Sequence, residues 1–362
     1  MLIFDSHCDS PSQMYRLRDF NKVTPWGQVD FSKMRAGKVG ASYFALYTFP
    51  DMAPADATSY ALKLLSGVYD QVDAAEGEVE LAFNTEEIAE NHSNGLISIM
   101  LSLENGAPIQ KSLSLLRMFY RMGVTCITLT HNADNEIADS IGGNHKWGGL
   151  SPFGREVVAE MNSLGMLIDV AHASDDTVRD CLKYSKAPIV STHSCCKALA
   201  SHRRNLSDEL IRGIADKGGV VQINFCPAFL SDEFNELMIS TGIGDRADEI
   251  EEAFKADPGN PDKVAAWIKI QEEMKALPRP SYRAVVDHID YAVKLVGIDH
   301  VGIGSDFDGI VVTPDGLEDV SKIGVIFDEM RARGYSRSDI AKVAGGNFLR
   351  VLKDVEAVAG QR

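Results

Sequence analysis

The sequence predicts an α/β fold, a (β/α)8 barrel of the TIM type, on three observations. The chain of 362 residues has the length of a single barrel with insertions. Eight short apolar runs rich in Ile and Val recur along it, and most of them precede an amphipathic segment, as in repeated βα units. The competing doubly wound sheet is disfavoured because no GxGxxG motif follows the first run.

The eight runs are interpreted as the barrel strands, in chain order. They are Leu2–Phe4, Gly40–Tyr47, Leu96–Leu103, Val124–Thr130, Met166–Val170, Pro188–Ser191, Gly219–Phe225 and His300–Gly304. Together they predict one barrel domain over residues 1–362.

A long segment, residues 226–280, separates the seventh predicted strand from the eighth. It contains acidic helical stretches such as DRADEIEEAFKAD and KVAAWIKIQEEMKAL, and is too short and too charged for a second domain. Because it leaves from the carboxyl end of a strand, we expect a helical insertion over the barrel mouth, where active sites lie. The alternative is a surface decoration unrelated to catalysis.

The amino-acid composition and the net charge exclude several classes of protein. Apolar residues make up 45% of the chain and charged residues 24%, which excludes disorder, collagen and coiled coil. With 52 acidic and 36 basic residues the net charge is −16, so binding to nucleic acid or anionic lipid is not expected. The N-terminal MLIFDSHCDS lacks a basic leader and the six cysteines form no CxxC, which predicts a cytoplasmic protein without membrane attachment.

Residues of metal-ligating type stand where the predicted strands end. The first strand leads into Asp5-Ser6-His7-Cys8-Asp9, and strand alternation puts His7 and Asp9 on the same side. The third strand, LISIMLSLENG, ends at Glu104 after a stretch with no other acid. One His-x-Asp is weak evidence, because a capped turn explains it equally well.

Three further predicted strands also lead into a histidine or an aspartate. The fifth leads into DVAH with His172, the sixth into STH with His193, and the eighth into GSDFDG with Asp306. Imidazoles and carboxylates that converge on one barrel mouth are costly unless cations neutralise them. Because this set exceeds what one zinc needs, it predicts a two-metal site with a shared carboxylate, and hydrolysis as the reaction class.

The motifs as a set resemble the membrane dipeptidase (renal dipeptidase) family of zinc peptidases, in the amidohydrolase superfamily. They are DSHCD, Glu104-Asn105-Gly106, THNADN, DVAH, STHS, SHRRN, GIGSDFDG and GGNFLRV, and they cover residue 3 to about 352. The resemblance implies a metalloprotease that holds two zinc ions per chain. His7 and Asp9 are then ligands of the first zinc, His172 and His193 of the second, and Glu104 bridges both.

The resemblance also implies roles in substrate binding and catalysis. His131 corresponds to the family's substrate-facing histidine, and Asp306 to its catalytic aspartate, which takes a proton from the bridging water and delivers it to the leaving amine. In SHRRN the family's arginine precedes the asparagine, so Arg204 would bind the substrate carboxylate. A shift of one position would give that role to Arg203.

Three functions are compatible with these residues. The first is a binuclear zinc dipeptidase that cleaves free dipeptides, including L-Xaa-D-Xaa, with a metal-bridging hydroxide, and that forms a homodimer. The second is a related metal-dependent amidohydrolase acting on N-acyl amino acids or lactones. The third, a catalytically silent barrel that serves as a binding subunit, is disfavoured because all the proposed site residues are present.

Overall fold

The computed structural model describes residues 1–15, 17–257 and 259–359 and contains a nearly closed barrel of eight parallel strands. Its strands, with one short additional strand, are β1 (Ile3–Cys8), β2 (Val39–Tyr47), β3 (Val79–Leu81), β4 (Ile97–Glu104), β5 (Val124–Thr128), β6 (Leu167–Asp169), β7 (Ile189–Ser191), β8 (Val220–Ile223) and β9 (Val301–Ile303). The barrel order is β1-β2-β4-β5-β6-β7-β8-β9, and all eight predicted strands belong to it. The predicted barrel is confirmed.

The additional strand β3 pairs only with β4, outside the barrel order. Its three residues, Val-Glu-Leu, are buried, exposed and half-buried, so they lack the continuous apolar run of the barrel strands. Its formation depends on the neighbouring edge of β4, which explains why the sequence pattern missed it.

The barrel closes through backbone contacts between β1 and the loop after β9. The amide of Asp9 donates to the carbonyl of Phe307 at 2.9 Å, and the amide of Asp306 donates to the carbonyl of His7 at 3.0 Å. Cys8 and Phe307 form an isolated parallel bridge. Closure therefore brings the first and last predicted motifs side by side.

Helices follow most of the strands. They are α1 (Pro11–Met14), α2 (Phe31–Ala36), α3 (Pro54–Asp73), α4 (Thr85–Ser93), α5 (Leu113–Arg121), α6 (Pro152–Leu164), α7 (Asp175–Tyr184), α8 (Asp208–Asp216), α9 (Pro227–Leu230), α10 (Asp232–Thr241), α11 (Ile243–Ala256), α12 (Pro261–Lys275), α13 (Arg283–Val296), α14 (Gly324–Ala332), α15 (Arg337–Ala341) and α16 (Asn347–Ala359). Among the described residues, no helix combines the length and the apolar character needed to cross a membrane.

An apolar cluster supports the barrel from within. Every barrel strand from β1 to β8 contributes to it, with Phe4, Tyr43, Met100, Cys126, Leu167, Val190 and Val220 among its members. Phe348 of α16 packs edge-on against Phe4, with ring centroids 4.8 Å apart. Burial of this apolar surface holds the strands in place, so that the polar residues beyond their carboxyl ends are presented on a rigid frame.

The helices α9 to α12 lie between β8 and β9 and have an apolar cluster of their own. The rings of Phe254 on α11 and Trp267 on α12 stack at 5.2 Å. Both belong to a cluster that also contains Val311 and Val312, from the loop after β9. The inserted helices are thereby packed against the loop that carries Asp306.

Candidate active site

A cavity of about 370 Å³ opens at the carboxyl ends of the barrel strands. Seven of the residues named from the sequence line it: Asp9, Glu104, His131, His172, Arg203, Arg204 and Asp306. His7 and His193 are almost fully buried, 1% and 0% exposed, and both lie beside Glu104. The inserted helices contribute further lining residues, among them Met238 and Lys255.

Glu104, the last residue of β4, lies at the centre of three histidines. Its Oε1 atom is 3.3 Å from Nε2 of His172, 3.6 Å from Nε2 of His7 and 3.7 Å from Nε2 of His193. The imidazole rings of His7 and His193 lie 3.9 Å apart between centroids. Strand ends that are distant in sequence therefore direct their nitrogen atoms at one carboxylate.

Several buried atoms of this group have no hydrogen-bond partner within the described part of the chain. They are Nε2 of His7, Nε2 of His193, Oε2 of Glu104 and Oδ1 of Asp9. Buried polar atoms normally find a partner, and these are the nitrogen and oxygen atoms that zinc binds. Ligand atoms fall within 4.8 Å of one another in three groups, His7-Glu104-His193, Glu104-His131-His172 and His7-Asp9-Asp306. The residues present thus fit metal binding.

Hydrogen bonds fix the histidine tautomers. Thr192 Oγ1 donates to Asp169 Oδ2 at 2.6 Å, so it accepts a hydrogen bond from Nδ1 of His193 at 2.9 Å. Asn132 Oδ1 accepts in the same way from Nδ1 of His172 at 3.0 Å. With the proton on Nδ1, the lone pair of Nε2 faces Glu104 and is available to a metal.

The pKa values show that the site favours positive charge beside Glu104. Burial lowers the pKa of His7, but the carboxylates of Glu104, Asp9 and Asp306 together outweigh it and raise that pKa to about 10. Burial would raise the pKa of Glu104, yet His7 holds it well below its usual range. Burial keeps the pKa of His172 and of His193 well below the ordinary value, so both stay neutral and able to bind a cation.

Asp306 lies at the edge of the same group, just beyond β9. Its backbone has the left-handed conformation, with φ of 61°, and Nδ2 of Asn224 donates to its Oδ2 at 2.8 Å. Burial raises the pKa of its carboxyl group. The turn and the Asn224 contact together fix the carboxylate beside His7 and Asp9.

Asp308, two residues after Asp306 in the same loop, has a structural partner. It is buried, its backbone is also left-handed at φ of 64°, and its carboxylate lies 3.3 Å from Nη1 of the buried Arg18. It also accepts hydrogen bonds from Ser10 Oγ and from the amide of Gln28, each at 2.8 Å. Asp308 therefore fastens the loop after β9 to the segment that follows β1.

Arg204 and Arg203 differ in their surroundings. Arg204 is 5% exposed, and its Nη2 donates to the carbonyl of His193 at 3.2 Å. Its Nε has no hydrogen-bond partner among the described residues, and its guanidinium carbon lies 5.5 Å from the centre of the Phe229 ring. Arg203 is exposed. Arg204 is thus a buried cation at the cavity wall, with guanidinium N–H groups available to a ligand.

His131 follows β5 and is held mainly by ring contacts. Its ring centroid lies 4.8 Å from that of Tyr47 and 4.2 Å from that of His172. Burial lowers its pKa to about 4, so the imidazole is neutral. Tyr47 was not singled out from the sequence, because an aromatic residue at a strand end gives no specific signal.

Comparison with known proteins places the chain among dipeptidases. Residues 1–362 match the family described as membrane dipeptidase (peptidase family M19). Dipeptidase aclJ of Aspergillus oryzae is 33% identical over 358 residues, which cover 96% of this chain and 75% of that protein. The uncharacterized dipeptidase C965.12 of Schizosaccharomyces pombe is 33% identical over 386 residues, covering 99% of this chain and 82% of that protein.

Solved structures share the fold over nearly the whole chain. The probable dipeptidase PvdM from Pseudomonas aeruginosa is 30% identical, with a TM-score of 0.84, and 99% of this chain and 96% of that one are covered. A metallo peptidase from Rhodobacter sphaeroides, liganded with a phosphinate mimic of the dipeptide L-Ala-D-Ala, is 23% identical with a TM-score of 0.80. Coverage there is 98% of this chain and 99% of that one.

Proposed function

Because this chain belongs to the membrane dipeptidase family and is a metallo-dipeptidase, we propose that it hydrolyses free dipeptides with two zinc ions. The observation that carries the proposal is the convergence of His7, His172 and His193 on Oε1 of Glu104, at 3.3 to 3.7 Å. Two of these imidazoles and the second oxygen of Glu104 have buried atoms without a hydrogen-bond partner among the described residues. A pair of cations accounts for all of these atoms.

The ligand assignment follows the family resemblance. His7 and Asp9 would hold one zinc, His172 and His193 the other, and Glu104 would contact both. When bound, the two ions supply the Lewis acidity that activates a water molecule and polarises the scissile carbonyl. The hydrogen bonds from His172 to Asn132 and from His193 to Thr192 support this assignment, because they leave each Nε2 unprotonated.

Asp306 would move the proton. In the proposed reaction its carboxylate accepts a proton from the attacking water and gives it to the nitrogen of the leaving amino acid. Asn224 holds one of its oxygens, and burial raises its pKa, which brings the group nearer to the range useful for proton transfer at neutral pH.

His131 would stabilise the developing oxyanion. A neutral imidazole at the cavity wall can donate one N–H to the carbonyl oxygen as negative charge builds on it. The low pKa of His131, about 4, supports a neutral donor at every pH where the enzyme is expected to work.

Arg204 would bind the substrate's free carboxylate. Its guanidinium is desolvated, and its single protein acceptor among the described residues is the carbonyl of His193. A buried cation with donors to spare is a matched partner for a carboxylate. This contact would also restrict the enzyme to dipeptides, because a longer peptide places its carboxylate elsewhere.

The inserted segment, residues 226–280, would form one side of the substrate cavity within a single barrel domain. Its residues Phe229, Met238 and Lys255 line the cavity together with the barrel residues. We propose that these helices bound the space above the metals and so contribute to selection for short substrates.

The proposal is tested by hydrolysis of a dipeptide library that carries L- and D-residues at the second position, together with metal analysis of the same sample. D-residues are included because the family resemblance implies that they are accepted. Free dipeptides should be cleaved and their C-terminal amides should not, with zinc bound. Preference for N-acyl amino acids or lactones would favour the related amidohydrolase instead. Light scattering on the same sample tests the predicted homodimer.

A further inference from the structure

We propose that Lys255, on inserted helix α11, is a positioning residue that holds Tyr47 against His131 and thereby orients His131 for catalysis. The inference rests on the proposed function, because it takes His131 as the group that faces the substrate. It extends that function to a residue whose side chain lies outside the metal cluster.

Lys255 is a buried cation that pairs with a carboxylate and contacts an aromatic ring. Its side chain is 10% exposed, and its Nζ lies 3.0 Å from Oε1 of Glu251, one helical turn earlier. The same ammonium lies 4.5 Å from the centre of the Tyr47 ring. Burying an ammonium is costly unless its charge is paired, and an aromatic face adds attraction in a desolvated site. Glu251 and Tyr47 together therefore fix the position of the lysine head.

Tyr47 transmits this contact to His131. Tyr47 is the last residue of β2, and its ring meets the His131 ring edge to face, at 4.8 Å and 74°. Nδ1 of His131 is buried and has no hydrogen-bond partner in the described chain, so no hydrogen bond there sets the ring orientation. The orientation depends on packing between Tyr47 and His172. Movement of Tyr47 would release one side of His131.

The backbone of Lys255 is joined to the same aromatic group. The hydroxyl of Tyr60, on α3, donates to the carbonyl of Lys255 at 3.4 Å. Tyr60 packs on Phe49 with ring centroids 6.0 Å apart, and Phe49 packs on Tyr47 at 5.2 Å. Helix α11 thus contacts this aromatic group through both the head and the backbone of Lys255, which makes Lys255 a link between the insertion and His131.

The first experiment compares Lys255→Met with the wild-type zinc enzyme. Methionine keeps much of the side-chain volume and removes the charge. We expect kcat on a cleaved dipeptide to fall about 10-fold, because small misplacements of a catalytic group are costly, with KM changed less than about threefold. Lys269→Met is the matched control, since Lys269 belongs to the neighbouring inserted helix and its side chain is 78% exposed. Zinc content should be unchanged in both variants.

A second readout does not depend on activity. Hydrogen exchange of the amides of α11 (Ile243–Ala256) should be faster in Lys255→Met than in wild type or Lys269→Met, because the helix has lost its contact with Tyr47. Protection equal to that of the wild type would contradict the proposed attachment.

A double-mutant cycle tests the route through Tyr47. Tyr47→Leu should lower kcat as Lys255→Met does. The double variant should show little additional loss of kcat, because both changes disrupt the same contacts between Lys255, Tyr47 and His131. Wild-type kcat in either single variant, additive losses, or an equal loss in Lys269→Met would overturn the inference. If the wild-type enzyme cleaved no dipeptide at all, the proposed function would fail instead, while the hydrogen-exchange result would still report on the attachment.

Discussion

Gly309 lies against the carboxylate of Asp9, so closely that a Cβ at position 309 would fall 1.7 Å from Asp9 Oδ2. The same Cβ would lie 2.6 Å from Oδ1 of Asp306. Glycine is therefore required at this position by the approach of two carboxylates, in addition to any turn that it forms. The loop after β9 and the end of β1 can share the site only without a side chain here.

Gly309→Ala should weaken metal binding. The methyl group has to displace the carboxylate of Asp9, and changes that disturb a ligand's position typically cost 10- to 100-fold in metal affinity. We expect the zinc dissociation constant to rise at least about 10-fold, measured by competition with a chelator. Gly324→Ala is the control, because a Cβ there meets no atom within 4 Å. Unchanged affinity in Gly309→Ala would show that Asp9 does not bind the metal.

Asp306→Asn should separate proton transfer from metal binding. The amide keeps the shape of the side chain and can still contact Asn224, but it cannot accept the proton. We expect kcat to fall about 100-fold or more while the zinc content changes little. Stopped assays with metal analysis of the same sample measure both. Loss of zinc with kcat per bound metal retained would instead make Asp306 a ligand.

Arg204→Ala should lower kcat/KM for free dipeptides. The loss should correspond to about 2–4 kcal/mol of transition-state stabilisation, the range for losing a desolvated charge pair. Arg203→Ala should cost less than about 1 kcal/mol, because Arg203 is exposed and its interactions are screened by water. Dipeptide amides, which lack the carboxylate, should show no difference between wild type and Arg204→Ala. If Arg203 proved the sensitive residue, the assignment of the carboxylate contact would be wrong.

Acid should destabilise the fold through His288, a residue of α13 far from the metal ligands in sequence. Its Nδ1 accepts a hydrogen bond from the amide of Cys196 at 3.1 Å, and its Nε2 donates to the carbonyl of Leu230 at 3.3 Å. A second proton would have to bind at Nδ1, where it would break the hydrogen bond from Cys196. Burial lowers its pKa from 6.5 to about 4. Because the unfolded chain binds the proton first, stability present above about pH 6.5 is lost as the pH falls towards 4.

The expected loss from His288 is about 2–3 kcal/mol in the free energy of unfolding over that interval. Urea unfolding of wild type and His288→Gln at several pH values measures it. The variant should lose less stability than the wild type between pH 6.5 and 4. Parallel curves would mean that His288 does not control the acid response.

The fold could be predicted from the sequence because barrel strands carry their signal locally. Each is a short apolar run, and β4, the clearest case, is buried at all eight positions. The strand β3 carried no such run and formed only beside β4. The prediction for the first strand, Leu2–Phe4, was too short, because β1 continues through polar residues to Cys8, where closure against Phe307 supports it.

The candidate site could be located from the sequence because its residues follow strand ends, which a barrel gathers at one mouth. The residues that orient them gave weaker signals. Asn132 lies within THNADN, but its contact with His172 depends on how two loops meet. Lys255 gave no signal in the sequence, since a lysine in an acidic helix is usually solvated. Only the packing of the insertion buries it. The roles of these residues stay predictions, as does the cytoplasmic location.

The proposed reaction requires a pair of metals that share Glu104, and a zinc titration of the metal-free enzyme tests this requirement directly. Dipeptide hydrolysis should rise with added zinc and level off at two equivalents per chain. Glu104→Gln, which removes the charge that both cations would share, should bind less zinc and show no turnover at the same additions. Full activity at one equivalent, or two bound zinc ions and near-normal activity in Glu104→Gln, would contradict the shared-carboxylate site.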